Sequence, residues 1–207
     1  MAEGGGPMIL GGRDMFFHAI ERAAREWQWA RLDRIEWAYS LAKNYHRSQK
    51  RKGGDRYFEH CRAVALLLIE FGPARGEEII MGLLHDAYED QFVPRGMFQQ
   101  LFGDAVDEGL ALLSHQELEY GVRGSIRKIA TPVDVYYSRL RLGSHGVRRV
   151  KIVDRIHNFT TISVFPRDKR IAKIEETRRY VYPLAQATDD RMYIQLQSLV
   201  AQCEATL

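Results

Sequence analysis

The chain has 207 residues, 45% of them hydrophobic and 28% charged, which is enough for one ordinary core and too little for two full catalytic domains. Thirty Lys and Arg against 27 Asp and Glu leave a net charge of +3, too small to argue for nucleic-acid binding, so charge placement has to carry any such claim. The two cysteines, Cys61 and Cys203, are far apart in sequence and offer neither a disulfide framework nor a cysteine-built zinc site; both are expected to be reduced thiols. The opening MAEGGGPMILGG lacks the basic start and long apolar run of a signal peptide, and no stretch approaches the roughly 18 apolar residues of a membrane helix. A cytoplasmic protein without membrane contact is expected, with residues 1–12 as a flexible glycine-rich leader and 13–207 as one domain.

Apolar residues recur at helical spacing through most of the chain, beginning with Phe16, Ile20, Ala23, Ala24 and Trp27. A second helix is predicted over Leu32 to Tyr45, and a third from Tyr57 until Gly72-Pro73 stops it. The fourth runs from Glu77 to Asp90. Shorter helices fit Pro94 to Phe102 and Asp104 to Leu113, the latter capped at Gly103-Asp104. Ser114 to Thr131 shows no sustained period and reads as a long loop. Helices resume at Pro132 to Leu140, His145 to Val164 and Lys169 to Tyr182, and a last one is opened by Pro183. The predicted fold is an all-α bundle of nine or ten helices, an architecture that places metal and ligand sites in a cleft between facing helices.

Four ligand-type residues interrupt these apolar runs: His60, the pair His85-Asp86, and Asp154. Ionised carboxylates among core-facing residues are costly unless paired or metal-bound. A shared divalent metal meets that need, and two imidazoles with two carboxylates suit Mn, Fe or Zn better than Ca. Glu89 and Asp90 follow His85 and Asp86 by one helical turn, and such crowding of acids perturbs pKa values. Both acids are therefore candidates to position or deprotonate an attacking water and to protonate a leaving oxygen.

These residues resemble the H…HD…D signature of HD-domain phosphohydrolases, and their flanks resemble the hydrolase domain of the RelA/SpoT alarmone enzymes. The first histidine closes the segment Tyr45-His46-Arg47-Ser48-Gln49-Lys50-Arg51-Lys52-Gly53-Gly54-Asp55-Arg56-Tyr57-Phe58-Glu59-His60-Cys61; Leu83 to Asp90 is similar to LLHD-x-x-ED; and Val150 to Asn158 is similar to VK-x-x-DR-x-HN. Arg170-Ile171-Ala172, Glu176-Thr177 and Tyr182-Pro183-Leu184-Ala185 extend the likeness, which covers about residues 38 to 185. The chain departs from the pattern at Ser48 in place of a glycine, at Asp55-Arg56 in place of Glu-Pro, at Cys61 in place of a proline, and at Leu113-Ser114-His115.

The resemblance implies that His60, His85, Asp86 and Asp154 bind a catalytic Mn2+ and that Glu89 and Asp90 activate water. It implies a nucleotide pocket formed by Arg51, Lys52 and Tyr57, with Lys151 beside the phosphates and Asn158 and Thr161 against the nucleoside. The implied reaction is removal of the 3′-pyrophosphate of (p)ppGpp; adenine alarmones, the 2′-phosphate of NADPH, or nucleotide sensing without turnover are the alternatives. Twenty-two residues follow Ala185, so no separate synthetase domain is expected. Basic residues concentrate at Arg47 to Arg62, with a local +4, and at Arg123 to Arg155, with a local +7, and either run could wall a polyphosphate cleft. RNA binding is disfavoured because aromatic interleaving in the first run is sparse.

Overall fold

The computed structural model describes residues 12–94 and 96–207, so the leader expected at 1–12 lies, but for Gly12, outside the described residues. The helices are α1 (Arg13–Trp27), α2 (Leu32–Tyr45), α3 (Tyr57–Glu70), α4 (Gly76–Leu84), α5 (Ala87–Asp90), α6 (Met97–Phe102), α7 (Asp104–Leu113), α8 (Val133–Leu142), α9 (His145–Thr160), α10 (Arg167–Glu176), α11 (Tyr182–Gln186) and α12 (Asp190–Glu204). Two strands, β1 (Gln116–Tyr120) and β2 (Ile126–Ala130), lie between α7 and α8. None of these helices is long and apolar enough to cross a membrane. Cys61 and Cys203 are both buried free thiols.

The fold is organised around α9. Val150, Ile152, Val153 and Ile156 are buried on several faces of it, because α3, α4 and α7 pack on one part of its surface and α11 and α12 on another. A helix enclosed on most sides tolerates polar residues only where they find partners. Arg149 does so: Nη1 donates to Glu78 Oε2 at 2.9 Å and to the Pro73 carbonyl at 2.6 Å, while Nη2 donates to the carbonyl oxygens of Leu68 and Gly72. One guanidinium thus satisfies the orphan carbonyls at the end of α3 and fixes the start of α4 against α9. Helices α3 and α4 approach closely at Gly82, where a Cβ would stand 3.0 Å from Leu68 Cδ1 and 3.3 Å from Ala65 Cα. That approach brings the start of α3 and the end of α4 together, and the two histidines with them.

Three expectations are corrected. The helix expected over Glu77 to Asp90 is broken, since α4 ends at Leu84 and Asp86 turns out of helical geometry, with φ −94° and ψ 0°, before α5 begins. The Asp90 amide still donates to the Asp86 carbonyl at 2.8 Å, so the break redirects the chain by one turn without unpairing it. Second, Ser114 to Thr131 is not an open loop but an antiparallel hairpin with Gln116 opposite Ala130 and Tyr120 opposite Ile126. Its two short strands would be marginal alone and are held by docking, with Tyr120 Oη donating to the Val93 carbonyl and Lys128 Nζ to the Glu89 carbonyl.

Third, Pro183 does not open the last helix. The backbone runs from α10 through a π-helical turn at Thr177–Val181 into α11, and α12 starts afresh with the Asp189 carboxylate accepting from the amides of Arg191 and Met192. With the short segments α5 and α11 counted, the described residues hold twelve helical segments, and the expected all-α bundle of about ten helices stands. Within the cap expected at Gly103-Asp104, Gly103, at φ 85°, takes the capping position, and Asp104 Oδ1 accepts from Gln99 Nε2.

Candidate active site

His60 lies in the first turn of α3, His85 and Asp86 form the break between α4 and α5, and Asp154 lies on the buried middle of α9. His60 Nε2 is 3.1 Å from His85 Nε2, 3.3 Å from Asp154 Oδ1 and 3.7 Å from Asp86 Oδ2; His85 Nε2 is 2.9 Å from Asp86 Oδ2 and 3.6 Å from Asp154 Oδ1. Ligand atoms of His60, His85 and Asp86 thus lie within 4.8 Å of one another, and Asp154 Oδ1 approaches the two histidines.

The outer partners decide what those atoms offer. His85 Nδ1 is 2.9 Å from the Gly82 carbonyl and donates to it, so the neutral ring presents a lone pair at Nε2. His60 Nδ1 is 2.8 Å from His157 Nδ1, and that same His157 nitrogen is 3.1 Å from Arg51 Nη1. A guanidinium can only donate, so His157 Nδ1 is the acceptor for both contacts. His60 then carries its proton on Nδ1, and its Nε2 is also a lone pair. His157 stays neutral, its pKa pushed down to about 3 by burial, His60 and Arg51.

With both rings neutral, as metal ligands must be, the centre is faced by two imidazole lone pairs and two carboxylate oxygens. Burial disfavours protonation of His85, but Asp86 and Asp154 outweigh it and raise its pKa; burial likewise lowers that of His60. One proton on His85 would leave the two carboxylates half compensated, whereas a divalent cation balances both. Metal bonds of about 2.1 Å place neighbouring donors about 3.0 to 3.4 Å apart, close to the separations found here. The donor set fits a divalent metal.

The carboxylates are held by their own partners. Asp154 Oδ1 accepts from Asn158 Nδ2 at 2.6 Å and Oδ2 from Lys151 Nζ at 3.2 Å, while Asp86 Oδ2 accepts from Tyr57 Oη at 2.7 Å. Despite burial, Lys151 and the two histidines keep the Asp154 carboxyl well below the usual range, and His85 does the same for Asp86. Arg51 closes this outer layer by donating to Asn158 Oδ1 as well as to His157.

A cavity of about 570 Å³ opens beside the cluster, a size typical of small-molecule sites. Its wall includes Glu89, Lys151, Arg155, Lys169, Lys173, and the apolar Phe159, Ile162 and Phe165. Of the expected substrate residues, Tyr57, Lys151 and Asn158 line it, whereas Arg51, Lys52 and Thr161 stand outside its wall. Arg51 is occupied with His157 and Asn158, Lys52 Nζ sits 4.8 Å over the Phe165 ring, and Thr161 ends α9.

The expected acid pair is divided. Glu89 faces the cavity and accepts from the His115 amide, and burial together with Asp86 raises its pKa. Asp90 turns toward α2, accepting from Gln49 Nε2 at 3.3 Å with His46 Nδ1 3.8 Å away. Of the basic runs, Lys151 and Arg155 reach the cavity wall, and none of the cations between Arg47 and Arg62 does.

Sequence reasoning gave no role to His157, although it stands inside a quoted motif, nor to Lys169 and Lys173. The fixation of α10, which carries both lysines, also went unread. Arg155 Nη2 donates to Tyr137 Oη at 2.9 Å and to Glu176, Nη1 reaches Thr177 Oγ1, and Tyr137 Oη donates to Glu176 at 2.8 Å. Burial opposes ionisation of Glu176, but Arg155 and Lys173 bring its pKa down to about 2.

Residues 38–112 match the profile of the HD domain, so this part of the chain is an HD domain with an α-helical fold. The chain is similar in sequence to proteins named GTP pyrophosphokinase. It is 37% identical over 153 residues to a GTP pyrophosphokinase of Brucella melitensis, covering 72% of this chain and 19% of that protein. A GTP pyrophosphokinase of Streptomyces antibioticus is 35% identical over 156 residues, 74% of this chain and 18% of its own length. The chain spans about a fifth of the length of these relatives. A solved structure described as a metazoan ortholog of SpoT that hydrolyzes ppGpp shares the fold, with a TM-score of 0.67 at 19% identity, covering 82% of this chain and 94% of that one.

Two outcomes follow from these contacts. Replacing His157 by Ala removes the acceptor that fixes the His60 tautomer, so Mn2+ affinity measured by calorimetry is expected to fall ~10- to 100-fold; unchanged affinity would contradict the tautomer assignment. Glu176 has its pKa lowered on folding, so its contribution to stability is present above about pH 4.5 and is lost as pH falls towards about 2. Urea unfolding of Glu176→Gln should show lower stability at pH 7 and a shallower loss between those values than the parent protein.

Proposed function

We propose that this protein is a Mn2+-dependent pyrophosphohydrolase that removes the 3′-pyrophosphate of (p)ppGpp, leaving GDP or GTP. The observation that carries the reading is one cavity wall shared by three members of the metal-binding cluster, His60, Asp86 and Asp154, a half-buried acid, Glu89, and four cations. A polyphosphate needs charge neutralisation, a proton acceptor for water and an orienting cleft, and this wall offers all three. A fold shared with a ppGpp-hydrolysing ortholog and relatives named as GTP pyrophosphokinases supports a guanosine polyphosphate as substrate.

His60, His85, Asp86 and Asp154 would hold the divalent ion, which would supply Lewis-acid polarisation and charge neutralisation at the phosphoryl group. Lys169 and Lys173 hold the remaining phosphate oxygens, and the α10 anchor of Arg155 on Glu176 keeps the two lysines aimed at the cavity. Phe159, Ile162 and Phe165 form the apolar part of the wall against which a base or ribose can lie. Glu89 accepts a proton from the attacking water as the new bond to phosphorus forms, and returns it to the 3′ oxygen when that P–O bond breaks. Its raised pKa makes it a stronger base than an exposed glutamate.

Asp90 is a positioning residue in this account, since it acts on Glu89 by charge and is held by Gln49 outside the cavity wall. Arg51 positions His157 and Asn158, and Lys151 holds Asp154; Lys52 and Thr161 border the site. In the assay of ppGpp with Mn2+, scored for released pyrophosphate, Glu89→Gln should bind the metal normally and lose ~10²- to 10⁴-fold in kcat. Asp86→Ala should lose metal and turnover together. Pyrophosphate release retained in Asp86→Ala would overturn the assignment of the site.

A further inference from the structure

Glu89 is gripped at both ends by the β1–β2 hairpin. In that hairpin Leu118 stands opposite Lys128, and the Thr131 amide closes the base by donating to the His115 carbonyl at 2.8 Å. Immediately before β1, the His115 amide donates to Glu89 Oε2 at 3.2 Å. From β2, Lys128 Nζ donates to the Glu89 carbonyl at 2.6 Å. One side of the hairpin therefore holds the carboxylate, and the other holds the backbone of the same residue.

The segment that carries Glu89 needs such support. Helix α5 is a single turn between the break at Asp86 and the extended Gln91, at φ −119° and ψ 160°, and one turn does not hold its own geometry. The Glu89 carbonyl takes its donor from Lys128 rather than from an amide four positions on. A cation is favourable beside the last carbonyls of a helix. Lys128 is itself fixed, because its ammonium lies 4.7 Å over the Phe92 ring and Tyr120 Oη, on the facing strand, donates to the Val93 carbonyl at 3.3 Å. The preceding residue shows the contrast: Arg127 is exposed and pairs with Glu119 of the hairpin itself. Neither Lys128 nor Arg127 lines the 570 Å³ cavity.

We propose that Lys128 is a positioning residue for the reaction: its hold on the Glu89 carbonyl, together with the His115 amide on the Glu89 carboxylate, fixes the aim of Glu89 at the attacking water. The inference rests on the role of Glu89 as proton acceptor proposed above. A displacement of about 1 Å in a reacting group costs up to about 10²-fold in rate. Lys128 contacts neither the metal cluster nor the cavity wall, so it acts on the rate through Glu89 and leaves substrate and metal affinity alone.

The test is a double-mutant cycle on the full-length, Mn2+-loaded protein, scored as pyrophosphate released from ppGpp, with Lys128→Met chosen because it keeps the aliphatic stem. Lys128→Met is expected to lower kcat about 10- to 100-fold, with KM and Mn2+ affinity within about 2-fold of the parent. Lys128→Arg should recover most of that rate, and Arg127→Ala, which removes a neighbouring charge of the same sign, should leave it unchanged. In a Glu89→Gln background Lys128→Met should cost less than about 2-fold more, since the two residues act as a unit. The same loss repeated in that background, an effect carried by KM or by metal affinity, or an equal loss in Arg127→Ala would overturn the proposal. Absence of pyrophosphate release by the parent protein would instead overturn the reaction proposed above, and the grip on Glu89 is then read from hydrogen exchange of the His115 amide. That exchange should be faster by about 10-fold or more in Lys128→Met and unchanged in Arg127→Ala; equal exchange in Lys128→Met and the parent would overturn the positioning role.

Discussion

Two imidazole Nε2 atoms held 3.1 Å apart, with two carboxylates beside them, are the constraint on which the rest of this structure depends. Such an arrangement repels itself unless something positive occupies its centre, and the fold nevertheless locks it in place from outside. Gly82 fixes one histidine tautomer through its carbonyl, and His157, pinned by Arg51, fixes the other. Asn158, Lys151 and Tyr57 hold the carboxylates. The free energy for this comes from the apolar faces of α3, α4 and α9, whose burial is non-directional and can support a directed polar cluster.

The same logic explains the helix break at His85-Asp86. A continuous helix would place successive residues about 100° apart around its axis, and His85 and Asp86 could not both reach one point. Turning the backbone at Asp86 lets both converge, and it points Glu89 into the cavity while Asp90 goes the other way. Farther out, Arg155, Tyr137, Glu176 and Thr177 perform for α10 what Arg149 and Glu78 perform for α3 and α4: a buried guanidinium ties two helices through fixed acceptors. The cavity wall is positioned by these ties.

Much of this was legible in the sequence, and particular residues show where legibility ended. The interruption of apolar runs by His60, His85-Asp86 and Asp154 marked polar groups that needed a common partner, and helical periodicity located α1 to α3 and α7 to α9 closely. The tautomer lock was not legible, because the contact between His60 and His157 spans 97 positions and depends on which nitrogen faces which. Glu89 and Asp90 look equivalent by spacing, and only the turn at Asp86 separates them. The hairpin at β1 and β2 escaped because its residues are mostly exposed and its support comes from Val93 and Glu89, outside its own sequence. The basic run from Arg47 to Arg62 suggests a wall of a polyphosphate cleft, yet none of its cations lines the 570 Å³ cavity and Arg51 is spent on the outer layer of the metal cluster.

The central claim is that the four-acceptor cluster is built around one divalent cation. Anomalous diffraction at the manganese edge from crystals grown with Mn2+ addresses it directly. One peak is expected among His60 Nε2, His85 Nε2, Asp86 Oδ2 and Asp154 Oδ1, with bonds of about 2.0 to 2.3 Å. A fully ordered cluster without a peak, or a peak coordinated by other residues, would contradict the account.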